Sequence, residues 1–355
     1  MIASPEVAAD GSVTFRFRDP NAKTVTVNLE GHPKPLEMQK DADGVWSYTT
    51  EPLEPDFYGY SFTADGVNLT DPLNSMMKPN LLHPGNMVHV PGPSTLPWEV
   101  NDVPHGVIHH HFYKSQIVGD QCDYYVYTPP GYDPTAKAPY PVLYLLHGFS
   151  DDASGWTAIG FANVILDNLI AEGKATPMVV VMPLGYGAPE FVKRRSQSGG
   201  GYDNVILRQL NFDKFREALL QEVMPAAEAS YNISKDRETR AVAGLSMGGA
   251  ETLLVGLNNL DKFSWVGAYS SGRMSGDFNQ DFPGLDSKAN SKLSLLWVSC
   301  GKDDHLLEPN TELRDWLKSK QIDLKWVVTP GAHMWPVWRR NLAEFAQLLF
   351  KKPEK

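Results

Sequence analysis

Short segments in which apolar and polar residues alternate dominate the beginning of the chain. The clearest are residues 13–17, 24–28, 45–48 and 58–62. Alternation with a period of two is typical of strands with one buried face, and the turn residues between these segments leave no convincing helix. The pattern predicts a small all-β sandwich over residues 1–90.

Prolines mark the point where this pattern ends. Of the 27 prolines, 13 lie before residue 105, and four of these fall within residues 90–104. Closely spaced prolines favour extended backbone and interrupt both helices and sheets. We therefore expect a linker over residues 91–104.

After the linker, strand-like and helix-like segments alternate. Seven compact apolar runs are predicted as strands, at residues 124–128, 142–146, 178–182, 241–243, 265–269, 295–298 and 324–328. Five intervening segments are predicted as helices, at residues 159–171, 212–229, 250–257, 311–318 and 337–350. Strands that are apolar on both faces are typical of a parallel sheet covered by helices. Residues 105–355 are thus predicted to form an α/β domain, and we expect it to fold on its own unless Trp98 and the linker pack against it.

Composition and charge limit the kinds of protein and of binding partner with which the sequence is compatible. The chain is 42% hydrophobic and 21% charged, as in folded globular proteins. Its mean hydropathy is −0.31, and no run of 18 apolar residues predicts a membrane span. With 32 basic and 42 acidic residues the net charge is −10, which argues against a nucleic acid as partner. A neutral polysaccharide is compatible with this charge.

Two features bear on the cellular compartment. Cys122 and Cys300 are too few for a disulfide framework or a four-cysteine zinc site, and we interpret them as independent buried thiols rather than a bridge. Residues 1–4 lead directly into polar sequence without a signal-peptide pattern. Either the protein stays in the cytoplasm or its signal peptide has been removed.

The strongest chemical signal is the pentapeptide Gly-Leu-Ser-Met-Gly at residues 244–248. It follows a short predicted strand and precedes a helix start that is rich in small residues. Glycines are needed on both sides of a nucleophilic serine at such a turn, because the turn is strained and the neighbouring backbones are close. The context predicts Ser246 as a nucleophile.

A serine nucleophile needs a histidine base and an acid that orients it. In hydrolases with this type of turn the chain order is serine, acid, histidine, and only His305 and His333 follow Ser246. His333 lies between the last predicted strand and the last helix, which favours it as the base. Asp303 and Asp304 both follow the strand at 295–298, and their position alone does not separate them as the acid.

Backbone N–H groups are expected to form the oxyanion hole. The amide of Met247 directly follows the nucleophile, and the amide of Phe149 lies in the turn after the strand at 142–146. His147 is predicted to brace that turn rather than to react.

Other histidines and aromatic residues are candidates for binding a metal ion or the substrate. His109, His110 and His111 would point to alternate faces of a strand, so we predict no metal site there and no metal elsewhere. The aromatic residues near the predicted site are candidates for a substrate wall or for the core: Trp156, Tyr186, Trp335 and Trp338.

From Phe112 onward the chain resembles the esterase D-like α/β-hydrolases, specifically carbohydrate esterase family 1. The resemblance rests on five segments in order, which are YVYTPPGY at 125–132, YLLHG at 144–148, AGLSMGG at 243–249, CGKDD at 300–304 and GAH at 331–333, followed by Trp338. The resemblance implies that the acid is Asp304.

The first 90 residues are similar to carbohydrate-binding modules of family 48, through FYGYSF at 57–62 and DPLN at 71–74. This resemblance implies an immunoglobulin-like sandwich. Trp46 is the sole tryptophan of that region, which argues against the starch binding that such modules achieve with exposed tryptophans.

Together the two resemblances imply a secreted or periplasmic feruloyl esterase that needs no cofactor. Its partner would be a plant cell-wall polysaccharide, feruloylated arabinoxylan or its oligosaccharides. Three alternatives stay open: an acetyl xylan esterase, an enterobactin-type siderophore esterase, and a non-catalytic glycan-binding protein. The net charge of −10 argues against an anionic siderophore complex, and a complete set of triad residues argues against a non-catalytic protein.

Overall fold

The computed structural model describes residues 2–193 and 201–351. The N-terminal part consists of two antiparallel sheets. Its ten strands are β1 (Glu6–Val7), β2 (Val13–Arg18), β3 (Val25–Leu29), β4 (Leu36–Glu37), β5 (Gln39–Lys40), β6 (Val45–Thr49), β7 (Asp56–Ala64), β8 (Val67–Leu69), β9 (Met77–Lys78) and β10 (Gly85–Val90). The first sheet has the order β1-β2-β6-β5, and the second has the order β4-β3-β7-β10-β9 with β8 paired to β7.

The two sheets share an apolar core because side chains alternate along their strands. Tyr58, Tyr60 and Phe62 of β7 point into this core with Val88 of β10, where they meet Phe15 of the first sheet. The intervening residues of β7 and β10 therefore face the opposite side of the second sheet.

That opposite side packs against the α/β part of the chain. Phe57 and Met87 belong to the same buried cluster as Trp98, together with side chains of the α/β part. The residues of the linker do not form a free tether: Trp98 is 4% exposed, and the Asn168 amide donates to the carbonyl oxygens of Pro97 and Glu99. The structure thus argues against independent folding of residues 105–355.

The α/β part is built on one eight-stranded sheet. Its strands are β11 (Val107–Lys114), β12 (Gln121–Thr128), β13 (Val142–Leu146), β14 (Val179–Pro183), β15 (Arg240–Leu245), β16 (Trp265–Tyr269), β17 (Leu295–Gly301) and β18 (Lys325–Thr329). Their order is β11-β12-β14-β13-β15-β16-β17-β18. The pairs β11/β12 and β12/β14 are antiparallel, and every other pair is parallel.

Helices cover both faces of this sheet. They are α1 (Ala162–Ala171), α2 (Glu190–Lys193), α3 (Val205–Ala218), α4 (Met224–Ser230), α5 (Met247–Asn258), α6 (Phe278–Asp281), α7 (Leu307–Ser319) and α8 (Trp335–Ala346). Short 3-10 helices lie at Gly201–Asp203, Arg237–Thr239 and Ser287–Ser291. Single π-helical turns, which are wider than α-helical turns, lie at Gly155–Ile159 and Leu219–Val223. Along β13, Val142 and Tyr144 face the side covered by α3, α5 and α7, whereas Leu143 and Leu145 face α1 and α8. The predicted α/β class, a mostly parallel sheet between helices, is confirmed.

The boundaries of several elements differ from the prediction. The helix predicted at 212–229 is two helices, α3 and α4, joined by the wider turn at Leu219–Val223. Strand β10 at the end of the sandwich is not among the predicted strands; it lies between Pro84 and Pro91. Both cysteines are free and buried, as predicted. No helix in the described ranges has the length and apolar character to cross a bilayer.

Candidate active site

The backbone at Ser246 is sharply bent between β15 and α5. Ser246 has φ 52° and ψ −115°, a conformation that is strained for a residue with a side chain. The turn fits only because its flanking glycines lack side chains. A Cβ on Gly244 would lie 2.5 Å from the carbonyl oxygen of Gly248, and one on Gly248 would lie 2.5 Å from that of His147. The bend places the Ser246 hydroxyl at the carboxyl edge of the parallel strands.

His333 connects this hydroxyl to a carboxylate. Its Nε2 lies 3.0 Å from the Oγ of Ser246, and its Nδ1 lies 2.8 Å from the Oδ2 of Asp304. A carboxylate can only accept, so Nδ1 carries the proton and Nε2 is free to accept the serine proton. The structure therefore brings together three predicted residues in an arrangement that can deprotonate Ser246.

Asp304, rather than Asp303, contacts the histidine. The side chain of Asp304 has no exposed surface, and its Oδ1 accepts from the Leu306 N–H at 2.8 Å. Burial acts to raise the pKa of Asp304, but the hydrogen bonds from His333 and Leu306 and the charge of His333 outweigh it, so this pKa lies below its usual value. Asp303 is exposed. A carboxylate that stays ionised is suited to stabilise a protonated imidazole.

Two backbone amides are available to an oxyanion. Met247 is the first residue of α5, and N–H groups in a first helical turn have no partner within the helix. Phe149 lies in the loop after β13, and its N–H has no acceptor among the described residues. A Cβ on Gly148 would lie 3.5 Å from the Cβ of Ser246, so this loop passes directly beside the nucleophile. Both predicted donors thus border Ser246.

His147 braces the same loop. Its Nδ1 lies 2.8 Å from the carbonyl oxygen of Gly148, and its Nε2 lies 2.8 Å from the amide of Gly185, which can only donate. The ring is therefore neutral with its proton on Nδ1. Burial lowers the pKa of His147, which is consistent with that state. This geometry agrees with the predicted structural role.

Three aromatic residues that were predicted to contact substrate lie in the core instead. Trp156, Tyr186 and Trp335 are 0%, 4% and 2% exposed. The indole of Trp156 donates to the Leu146 carbonyl, and the hydroxyl of Tyr186 donates to the Asp151 carbonyl. The prediction of substrate contact is wrong for all three, because their side chains are buried in the protein core. Trp338 is also buried and packs edge-on against His333, with ring centroids 4.8 Å apart.

A pocket of about 430 Å³ opens at Ser246. Its lining consists of Phe149, Tyr202, Asp203, Ser246, Gly272, Arg273, His305, Leu306 and His333. The rings of Phe149 and Tyr202 meet edge to face with centroids 5.4 Å apart, and Phe191 packs behind both. Gly272, Arg273 and His305 also border a second cavity of about 520 Å³. Sequence reasoning had not found Tyr202 or Arg273, since neither lies in a recognisable motif.

Histidines that could bind a metal ion lie at two places, on β11 and at the pocket. The side chains of His110 and His111 point to opposite faces of β11, where they bond Asp123 and the Tyr231 hydroxyl. At the pocket, ligand atoms of Asp304, His305 and His333 lie within 4.8 Å of one another. Those of Asp304 and His333 are already engaged in the hydrogen bonds described above.

Comparison with known families gives a match over the α/β part. A sequence model of the family described as "Putative esterase" matches residues 115–348. An endo-1,4-beta-xylanase/feruloyl esterase from Xylanibacter ruminicola is 31% identical over 354 residues, which cover 98% of this chain and 46% of that protein. The chain therefore spans less than half of that relative's length.

Two solved structures show the same fold. The enterobactin esterase of Shigella flexneri has a TM-score of 0.69 at 21% identity, covering 96% of this chain and 94% of that one. A ferulic acid esterase from Anaeromyces mucronatus has a TM-score of 0.62 at 23% identity, covering 73% of this chain and 96% of that one. These neighbours are esterases of the α/β-hydrolase type, and at these identities they establish the fold alone.

Proposed function

Because this chain belongs to the putative esterase family, we propose that it is a serine esterase of carbohydrate esterase family 1 that releases feruloyl and related hydroxycinnamoyl groups from xylan side chains. The similarity to a xylanase/feruloyl esterase over 98% of the chain supports this substrate class.

The aromatic wall beside the nucleophile is the observation that carries the proposal. A hydroxycinnamoyl group is a flat aromatic ring on a short conjugated arm. The edge-to-face pair of Phe149 and Tyr202 lies in the same pocket as Ser246, and aromatic side chains favour stacked or edge-on contacts with another ring. An acetyl group would leave this wall unused.

In the proposed mechanism Ser246 attacks the ester carbonyl while Nε2 of His333 takes its proton. The amides of Phe149 and Met247 stabilise the oxyanion of the tetrahedral intermediate. His333 then returns the proton to the departing sugar hydroxyl, which leaves a feruloyl-enzyme. Water, deprotonated by His333, attacks this ester and releases ferulate, and Asp304 holds the imidazole in the required tautomer throughout.

We propose that the N-terminal sandwich is related to family 48 carbohydrate-binding modules, but that it supports the α/β part instead of binding a sugar. Trp46 is 7% exposed, and its indole N–H donates to the Asp19 carbonyl, so it offers no platform for a sugar. The outer face of the second sheet is covered by the α/β part. A plant cell-wall substrate would place the enzyme in the periplasm or the medium.

The test is a comparison of kcat/KM on three esters: a feruloylated arabino-oligosaccharide, an acetylated xylo-oligosaccharide and a catecholate-serine ester. The proposal predicts preference for the first. Preference for the second would assign an acetyl xylan esterase, and preference for the third would assign a siderophore esterase. If none of the three esters is hydrolysed and a serine-directed phosphonate does not label Ser246, a non-catalytic protein would be favoured.

A further inference from the structure

The segment between β9 and β10 reaches across to the loop that carries the Phe149 amide. We call residues 148–151 the oxyanion loop. The side-chain amide of Asn80 donates to the Oγ of Ser150 and to the Oδ1 of Asp151, both at 3.0 Å. Next to it, the N–H of Leu81 donates to the carbonyl oxygen of Ser150 at 2.7 Å. Three hydrogen bonds thus join the N-terminal part to this loop.

The oxyanion loop needs support because its backbone is strained. Ser150 has φ 72°, in the left-handed region that residues with a side chain adopt at a cost in free energy. Such a conformation persists only where surrounding contacts determine it. Two of the three hydrogen bonds from Asn80 and Leu81 fall on Ser150 itself, one residue after the proposed donor Phe149.

A second contact reaches the other side of the site. We call residues 330–334 the histidine loop. The carboxylate of Glu30, just after β3, accepts from the N–H of Trp335 at 2.9 Å through one oxygen and from the N–H of Gly59 at 2.7 Å through the other. Trp335 begins α8 two residues after His333, and a carboxylate at a helix start is favourable. Glu30 therefore ties the end of the histidine loop to the second sheet.

These contacts reach the oxyanion loop and the histidine loop, which must both be correctly placed relative to Ser246. We propose that the N-terminal sandwich contributes positioning residues to the catalytic centre: Asn80 positions the oxyanion loop and Glu30 positions the histidine loop. The inference rests on the proposed roles of Ser246, His333 and Phe149, but not on the identity of the acyl group. A misplacement of about 1 Å in such a site can cost about a hundredfold in rate.

Asn80→Ala tests the first contact, with Asn74→Ala as a matched control. Asn74 is also half-buried in the N-terminal part, but its side chain bonds Tyr60, Met87 and Met76 and no catalytic loop. On p-nitrophenyl acetate, Asn80→Ala should lower kcat about tenfold or more while KM changes less than about threefold, because the oxyanion forms only in the transition state. Asn74→Ala should keep the parental kcat, whatever its effect on Tm.

Glu30→Ala tests the second contact, with Glu99→Ala as its control. Glu99 is a buried glutamate whose carboxylate bonds His89 and the Gly92 N–H, away from both loops. We expect Glu30→Ala to lower kcat and Glu99→Ala to leave it unchanged. Tm is measured for all four variants so that loss of fold is separated from loss of positioning.

A second readout covers the case in which the proposed function fails. The rate at which a serine-directed phosphonate labels Ser246 depends on the oxyanion loop and on His333, but not on a feruloyl group. If the parent releases no ferulate, the proposed function is wrong, and slower labelling of Asn80→Ala and Glu30→Ala still supports positioning. The inference would be overturned if both variants kept the parental labelling rate and kcat. It would also be overturned if the variants and their controls had equal Tm and lost kcat equally.

Discussion

Asp56 at the start of β7 and Arg339 in α8 form an ion pair in which neither side chain has any exposed surface. The guanidinium Nη2 lies 2.7 Å from Oδ1 of Asp56. Arg339 also donates to the carbonyl oxygens of Phe57 and Ile159. The N-terminal sheet thus supplies the counter-ion of a cation that lies in the helix following the histidine loop.

Asp56→Ala should lower the free energy of unfolding by about 3–5 kcal/mol, because it leaves a buried guanidinium without its partner. Chemical denaturation measures this change. Glu6→Ala is the control: Glu6 pairs with Arg16 at 2.8 Å on the surface, and the loss of an exposed pair should cost less than about 1 kcal/mol. Equal effects of the two substitutions would show that the buried pair does not hold the two parts together.

Asp304→Asn should reduce kcat by about ten-thousandfold, because an amide no longer fixes the histidine tautomer. Asp303→Asn, one residue away and exposed, should stay within a few fold of the parent. Steady-state rates on p-nitrophenyl acetate rank the two variants. The reverse ranking would assign Asp303 as the acid.

Tyr202→Ala should affect the hydrolysis of feruloyl esters more than that of acetyl esters. Loss of this ring removes half of the aromatic wall, so kcat/KM for methyl ferulate should fall about tenfold. For an acetyl ester of the same alcohol we expect little change. Equal losses on both esters would mean that Tyr202 supports the fold of the pocket rather than binding the acyl ring.

Asp151 should make the stability depend on pH. Burial raises its pKa to about 7 from an ordinary 3.8, against the opposing effects of Lys78 and Asn80; Asp152 and Glu30 also raise it. The folded protein holds this proton more tightly than the unfolded chain, so the stabilisation is complete below about pH 4 and is lost as the pH rises through about 7.

The comparison with Asp151→Asn isolates this effect. Between pH 4 and pH 8 the parent should lose up to about 4 kcal/mol of unfolding free energy relative to the variant. Urea denaturation across this range measures the difference. A difference that does not change with pH would show that Asp151 titrates normally.

The parts of the site that local sequence rules determine were predictable. The glycines around Ser246 follow from the close backbone contacts at the bend, and the position of His333 follows from the order of strands and loops. Asp304 and Asp303 could not be separated by position alone, because both follow β17; the resemblance to a family favoured Asp304, and the contact with His333 agrees.

The contacts between the two parts of the chain were not predictable from local patterns. Asn80 and Glu30 lie in segments that resemble ordinary turns of a sandwich, and only the packing of the second sheet on the α/β part brings them to the catalytic loops. The error about Trp156, Tyr186 and Trp335 has a different cause. Their place in the chain order indicates the active-site edge, but it does not tell on which side of a loop an aromatic ring points.

In the proposed mechanism Ser246 carries a feruloyl ester during turnover. Acid quenching during the hydrolysis of a feruloylated oligosaccharide, followed by peptide mass spectrometry, tests it directly. We expect a feruloyl adduct on the peptide that contains Ser246, and none in Ser246→Ala, whose kcat should fall at least about a thousandfold. Release of ferulate by Ser246→Ala at the parental rate, or an adduct on a different residue, would contradict it.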